Sequence, residues 1–335
     1  MKNNQFYSSS RRRTPWDGKT DLTPIQSFIK SNYLDAYNRK HPKLSETNEA
    51  DFINSFKINA CKYCGKTNFK KAGFTSNGIQ RYKCRDCNRT FNVLTNTLFD
   101  NHKISILEWI EYLLNIFGYS SFNSTSRNSK IAYSTTKYWL LKLFEVLKDY
   151  QDSIVLKGNV YIDETFYNVI KKDMTNEKAS GDNRYCIGIG YDGEYTYCKV
   201  EGRSRSSSFK WTKDTFISHI KEGSVLIHDE AYSHSVLIEP LKLIDKKYSG
   251  AKCKTLPDEE NPLQPINDKC SMLKSFLNAH RGFDRNELQD YLNLFCFISN
   301  PPYNKLEKIE YLLNLTMGVN KTMKYRDLFL KNTDK

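Results

Sequence analysis

Two short apolar runs, each closing on an acid, constrain this chain more than any other feature. Asn159–Phe166 reads NVYIDETF: Val160 and Ile162 are β-branched, Tyr161 is aromatic, and the run leads into Asp163 and Glu164. Ser224–Glu230 reads SVLIHDE and carries Val225, Leu226 and Ile227 into Asp229. Runs of this length and composition are buried strands, and a buried strand ending in an acid delivers a carboxylate to the edge of a sheet. One such strand commonly does no more than start a turn. Two predict a pair of carboxylates brought together over divalent metal.

The chain has 335 residues, room for about two domains at roughly 150 residues each. Its formal net charge is +13, an excess that points to nucleic acid before an anionic membrane surface. No apolar run approaches the ~20 residues of a membrane span, and the N-terminal stretch lacks the apolar core of a signal peptide. Nine cysteines are present. The odd number and the clustering of four of them suggest a reducing compartment and metal binding, not a disulfide framework.

The clustered cysteines are Cys61-Lys-Tyr-Cys64 and Cys84-Arg-Asp-Cys87. Each CxxC turn presents two thiolates to one ion, and four soft ligands suit one tetrahedral, structural Zn²⁺. Gly65 follows the first turn, where a tight backbone favours glycine. Phe69, Phe74, Ile79 and Tyr82 lie in short β-like segments between the pairs. The whole predicts a zinc ribbon whose folding energy comes largely from its metal, on the order of 10 kcal/mol. Arg81, Lys83, Arg85 and Arg89 belong to a basic group around it, which suits contact with DNA phosphates.

Before the ribbon, residues 1–20 are polar and basic, with Arg11, Arg12 and Arg13 in a row, a solvated tail or an arm along a DNA backbone. Apolar spacing predicts a helix over 22–37 and a polar linker over 38–50. After it, Ile104, Leu107, Ile110, Leu113, Leu114 and Phe117 mark an amphipathic helix over 104–118,. The polar segment Ser120–Lys130 follows, then a second helix from near Ser134 with Lys137 in its first turn. Helix, polar segment, capped helix is the outline of a helix-turn-helix, and equally of a plain helical hairpin.

From 159 the pattern turns to strands. Arg184–Tyr191 and Glu194–Val200 flank the turn dipeptide Asp192-Gly193 and predict a hairpin. A basic loop over 202–208 carries Arg203 and Arg205, two further candidates for DNA contact. A helix is expected over 209–221, then the strand into Asp229, a short helix near 235–245, a long helix over 267–280 and another over 285–298. Strand with Asp, hairpin, helix, strand with Asp, then a helix with a polar first turn is the order of an α/β, ribonuclease-H-like core. In that fold the first and fourth strands are neighbours and a late helix brings a third ligand.

With these residues in view, the chain resembles insertion-sequence transposases of the DDE type, in particular the bacterial group related to the eukaryotic Merlin elements, which carry a zinc ribbon before the catalytic domain. The resemblance covers about residues 55–300. It rests on CKYC…RYKCRDCNRTF (61–91), TNTLFDNHKISILEWIEYL (95–113), YIDETF (161–166), VLIHDEAYSH (225–234) and INDKCSMLKSFL…RGF…LQDYLNLF (266–295). It implies that Asp163 and Asp229 are the first two catalytic carboxylates. In this group the third ligand is often Asn followed seven residues later by Lys, and Asn267 with Lys274 matches. Two helical turns separate them, so both lie on one helix face. An Asn carbonyl is a hard donor that Mg²⁺ accepts, and Lys274 is placed to hold a phosphate. The group commonly has His where Cys270 stands. Asp268 is an adjacent alternative to Asn267, though it points about 100° away on a helix.

The expected organisation is a basic arm and helical segment over 1–50, the zinc ribbon over 55–100, a helical DNA-binding segment over 101–150, the catalytic domain over 155–300 and a helical tail over 301–335. The expected function is binding of terminal inverted repeats, followed by cleavage and strand transfer with two Mg²⁺ or Mn²⁺ ions bridging the scissile phosphate. The partners would be double-stranded DNA at transposon ends and target, and at least a second copy of the chain; the setting would be cytoplasmic, at the nucleoid, with no membrane. Glu164 and Glu230 alternate away from the site as supporting or surface acids, and His228 and His234 are assigned surface or structural roles. Two other readings fit the same residues: a non-catalytic DNA-binding protein derived from a transposase, and a ribonuclease-H-like nuclease.

Overall fold

The computed structural model describes residues 20–28, 49–100, 106–129, 131–168, 184–203, 208–280, 282–318 and 321–324. Arg11–Arg13, most of the 22–37 helix and the 38–50 linker, residues 169–183 and Arg205 lie outside them. The chain forms two compact units. One holds residues up to Gly118, Phe122–Trp139 and from Tyr311 on; the other holds Tyr119–Ser121 and Leu140–Glu310.

The first unit contains helix α1 (Glu49–Ser55) and a three-stranded antiparallel sheet of β1 (Phe69–Phe74), β2 (Gln80–Cys84) and β3 (Thr90–Phe91). Phe69, Tyr82 and Phe91, one from each strand, pack ring on ring with centroids 5.5–5.8 Å apart. This small apolar cluster, with the buried Cys61 and Cys84, is the ribbon's core. Three helices follow: α2 (Ile106–Ile116), α3 (Phe122–Ser129) and α4 (Tyr133–Leu147). The segment read from sequence as a polar connection is therefore mostly helix. Its Ser- and Asn-rich sequence buries only Thr125, so it carries no apolar period to betray it. The tight turn lies between α3 and α4, and the Tyr112 hydroxyl of α2 donates to the Thr136 carbonyl (3.1 Å).

The second unit is built on a five-stranded mixed sheet: β4 (Asn159–Asn168), β5 (Arg184–Tyr191), β6 (Thr196–Arg203), β7 (Val225–Asp229) and β8 (Ile244–Tyr248), in the order β6-β5-β4-β7-β8. Strands β4, β5 and β6 are antiparallel, and β7 and β8 run parallel to β4. The main helices after the first strands are α5 (Phe209–Phe216), α6 (Gln264–Ala279) and α7 (Leu288–Ser299), with a single helical turn at Gly250–Cys253 before α6; α8 (Lys305–Gly318) is divided between the two units at Glu310. This is the ribonuclease-H-like arrangement, with the two acid-bearing strands side by side; β7 ends on its acid, whereas β4 does not stop at Asp163 but pairs with β5 as far as Asn168. The segment 235–245 is not a helix: a 3-10 turn (Tyr232–Leu237) leads into β8. Four of the five β8 residues are exposed, the mark of an edge strand and the reason no apolar pattern marked it.

One sheet face is apolar. Val160, Ile162 and Leu226 point there and pack with Phe216, Ile220, Leu237 and Leu243. Glycines in β5 let α5 approach: a Cβ at Gly190 would lie 2.6 Å from Leu156 and 3.1 Å from Phe216. The far edge, β6, is closed by side chains. The N–H groups of Thr196, Cys198 and Val200 donate to the amide oxygens of Asn300 (2.6 Å), Gln151 (2.8 Å) and Gln289 (2.9 Å). The donors of an edge strand are thus spent on three amides and cannot recruit another strand. Gln151 is buried, and its Nε2 also donates to the Cys198 carbonyl. Gln151→Ala leaves these buried groups unsatisfied, at roughly 1–3 kcal/mol each. Urea denaturation should show a lower midpoint with an unchanged slope.

Candidate functional site

The sheet's pleat sorts the acids. Successive side chains on a strand face opposite sides, so Asp163 shares a face with Tyr161, and Glu164 shares the apolar face with Val160 and Ile162. On β7, Asp229 shares a face with Ile227, and His228 shares one with Leu226. Tyr161 and Ile227 are register partners across the parallel pair. Two residues further along each strand come Asp163 and Asp229, on the same face.

Asp163 is largely buried. Its Oδ1 accepts from the Glu164 N–H (2.8 Å), and the Cys270 thiol lies 3.7 Å from its Oδ2. Burial pushes its carboxyl up, and the charges of Asp229 and Glu164 push the same way; against the opposing pull of the Glu164 N–H and His234, the net value rises to about 6. Burial likewise raises the Cys270 thiol well above its usual range. Asp229 Oδ1 accepts from the Ala231 N–H (3.0 Å).

Cys270 fixes which side of α6 faces Asp163. Asn267 and Lys274 stand one turn before and one after it, within about 20° of one another around the helix, and both are exposed. The helix begins at Gln264, earlier than its polar first turn suggested, so Asn267 lies inside it and is not a cap. Asp268 accepts from the Gln264 side-chain amide (2.8 Å). Two carboxylates and an amide oxygen are hard donors of the kind Mg²⁺ and Mn²⁺ take, and a cation between the carboxylates would relieve the repulsion that raises Asp163.

On the opposite face lies a group the sequence reading undervalued. Glu164 is not a surface acid: its Oε2 is 3.0 Å from His234 Nε2 and its Oε1 accepts from the Ser233 hydroxyl (3.4 Å). His234 Nδ1 is 3.0 Å from His228 Nδ1, and His228 Nε2 is 2.8 Å from Asp245 Oδ1. Both rings are buried. Burial opposes charge on His234, but the Glu164 hydrogen bond and the Glu164, Asp229 and Asp163 charges outweigh it and raise its basicity. Burial and the neighbouring His234 lower that of His228. The available signal was modest: the chain has six histidines, and two of them bracket Asp229.

In the ribbon, the sulfurs of Cys61 and Cys87 are 3.7 Å apart and those of Cys64 and Cys84 are 3.6 Å apart, with all four within 4.8 Å of one another. Tetrahedral thiolates at about 2.3 Å from an ion stand about 3.8 Å from each other, so the set has the dimensions of a single-ion site. Each CxxC turn closes the same way: Cys61 N–H donates to Lys66 O (2.8 Å) and Cys84 N–H to Arg89 O (3.0 Å). Gly65 (φ 73°) and Asn88 (φ 57°) take the left-handed positions.

Of the residues proposed for DNA, Arg81, Lys83, Arg85 and Arg89 are exposed on the ribbon, Arg81 and Lys83 on one face of β2. Arg89 stacks over the Tyr63 ring (5.0 Å). Lys137 is exposed in the first turn of α4, and Arg203 ends β6 over the Tyr185 ring (5.9 Å). Among the described residues no helix is long and apolar enough to cross a membrane.

No protein-family model matches the chain. It is 27% identical over 125 residues to an uncharacterized protein in transposable element ISH50 of Halobacterium salinarum, a match covering 36% of this chain and 40% of that protein. The matched stretch is thus well under half of the curated relative's length. Among solved structures, the catalytic domain of Mos1 mariner transposase matches 55% of this chain and 94% of its own at 10% identity, with a TM-score of 0.31. The Mos1 strand transfer complex matches 64% of this chain at 9% identity, with a TM-score of 0.28.

The Asp163 environment has a measurable consequence. Its carboxylate is held at a cost of about 1.4 kcal/mol per pKa unit, so Asp163→Asn should stabilise the protein at neutral pH, without added divalent metal, by up to about 3 kcal/mol. A raised carboxyl loses stability as pH rises through its folded value. The gain from Asn is therefore full above about 6 and fades as the pH falls toward the ordinary Asp range, which thermal melts across pH would record.

Proposed function

We propose that this chain is a DNA transposase that cuts the ends of an insertion sequence and joins them to target DNA by divalent-metal phosphoryl transfer. The observation carrying this reading is the placement of Asp163, midway along β4, and Asp229, at the end of the neighbouring parallel strand β7, on one face, with one side of α6 turned to Asp163. The basic excess of the chain and the occurrence of a sequence relative within a transposable element support DNA as the substrate.

In this reading Asp163 and Asp229 bind the cations, Asn267 supplies a neutral oxygen as third ligand, and Lys274 holds a phosphate beside them. A pair of Mg²⁺ or Mn²⁺ ions there would neutralise the scissile phosphate and make water, and then a 3′-hydroxyl, nucleophilic at neutral pH. The protein contributes position and charge: the register of β4 and β7 sets the spacing of the carboxylates, and burial of Asp163 keeps bulk water from competing for it. Asn267 adds no charge, so affinity for the cation should be lower than with Glu. The four ribbon cysteines hold one structural Zn²⁺. The ribbon residues Arg81, Lys83, Arg85 and Arg89, with Lys137, Arg203 and Arg205, contact the phosphates of the terminal repeats, and pairing two ends calls for at least two copies of the chain.

Incubation of the protein with Mn²⁺ and a labelled element end tests the reading: wild type should yield both a nicked end and a product joined to a second DNA. Asp163→Asn and Asp229→Asn should abolish both, by a factor of about 10³ or more. Asn267→Ala should lose most activity and Asp268→Ala little. Cleavage without joining would make the protein a nuclease, and DNA binding unaffected by Asp163→Asn with no cleavage at all would make it a binding protein. For the ribbon, atomic emission should find one zinc per chain, and Cys84→Ser should lose it together with affinity for the end.

A further inference from the structure

The hydrogen-bonded chain Glu164–His234–His228–Asp245, buried except at its exposed Asp245 end, joins four segments around one side of Asp229. Glu164 comes from β4, His228 from β7, His234 from the 3-10 turn after Asp229, and Asp245 from β8. Each ring is held at both nitrogens. The Nε2 atoms face carboxylate oxygens at 3.0 and 2.8 Å, and the two Nδ1 atoms face each other at 3.0 Å, so one ring donates to the other. The rings pack edge to face with centroids 4.9 Å apart. Neither ring can turn over without breaking a hydrogen bond at each end, and an unmade bond in a buried site is costly.

The same ring reaches the reacting face. His234 Nδ1 lies 3.6 Å from Asp229 Oδ1, the oxygen that also accepts from the Ala231 N–H. This oxygen is turned toward the turn that carries His234, which leaves the other carboxylate oxygen for a cation. Apart from the Ala231 N–H the Asp229 side chain is lightly held: it is 40% exposed, and the pairing of β7 with β4 ends two residues earlier, at Ile227. The fully buried His234 is the rigid body beside it.

We propose that His234, braced by Glu164 on one side and by His228 and Asp245 on the other, is a positioning residue that sets the Asp229 carboxylate for divalent-metal binding. The proposal rests on the metal reading of Asp163 and Asp229. Removing a group that orients a metal ligand typically costs ten- to a hundredfold in affinity, without the group touching the metal.

The test is Mn²⁺ binding by the full chain without DNA at neutral pH, read from the EPR signal of free Mn²⁺, with melting curves for every variant. His234→Ala and Glu164→Ala should each weaken binding about tenfold, whereas Glu164→Gln, which keeps an oxygen for the ring N–H, should stay within about twofold of wild type. Folded His234→Ala with unchanged affinity overturns the proposal. Should that variant not fold, equal affinities for Glu164→Ala and Glu164→Gln overturn it instead. Pulsed EPR of bound Mn²⁺ should show no nitrogen coupling. Coupling to ring nitrogen would make the histidines ligands and overturn the positioning role. Asp229→Asn is the control: unchanged binding there takes down the metal reading itself and this proposal with it.

Discussion

The five-stranded sheet of the second unit is arranged around two carboxylates that repel one another. Asp163 lies midway along β4 and Asp229 ends the adjacent parallel strand β7, and the charge of the second helps raise the first to about 6. Such a pair persists only where the backbone leaves it no alternative. The ladder from Asn159↔Val225 to Tyr161↔Ile227 fixes the approach, and the fully buried Val160, Ile162 and Leu226 beneath it make a slip of one residue prohibitive, because it would turn every side chain to the wrong face. The amide-capped edge at β6 and the α6 helix against Asp163 hold the same frame from the other side.

The two faces of the sheet divide the work. One carries the aspartates and, on α6, Asn267 and Lys274. The other is apolar around Val160, Ile162 and Leu226 but also carries Glu164 and His228, each one residue from an aspartate. Alternation along a strand makes this unavoidable: a residue next to a reacting acid must point away from it. Here the away-pointing positions, instead of joining the apolar core, hold a hydrogen-bonded chain that returns through His234 to Asp229. In the other unit the same economy holds on a smaller scale. Three aromatic rings and two buried cysteines are a small core, and four sulfurs lie beside it at the spacing of a single-ion site.

Much of this was legible in the sequence where apolar period and chemistry coincide. NVYIDETF and SVLIHDE announce buried strands and their acids, CxxC twice announces a compact four-sulfur cluster, and Asp192-Gly193 announces a hairpin. What stayed hidden has two causes. The helix Phe122–Ser129 and the strand Ile244–Tyr248 are polar or exposed along most of their length, so tertiary context and not periodicity decides them. The histidine chain joins residues 6, 17 and 70 apart in sequence, and no local pattern records a contact across three strands. His228 and His234 therefore read as incidental neighbours of Asp229 until the turn after β7 brought them together.

The central claim is that Asp163 and Asp229 share a divalent cation. The most direct measurement is a crystal structure of the full chain grown with Mn²⁺, with data collected for anomalous scattering from manganese. The account predicts an anomalous peak within bonding distance of carboxylate oxygens from both aspartates, on the face that also presents Asn267. Manganese bound to only one of the two, or carboxylates turned apart with no peak between them, would contradict it.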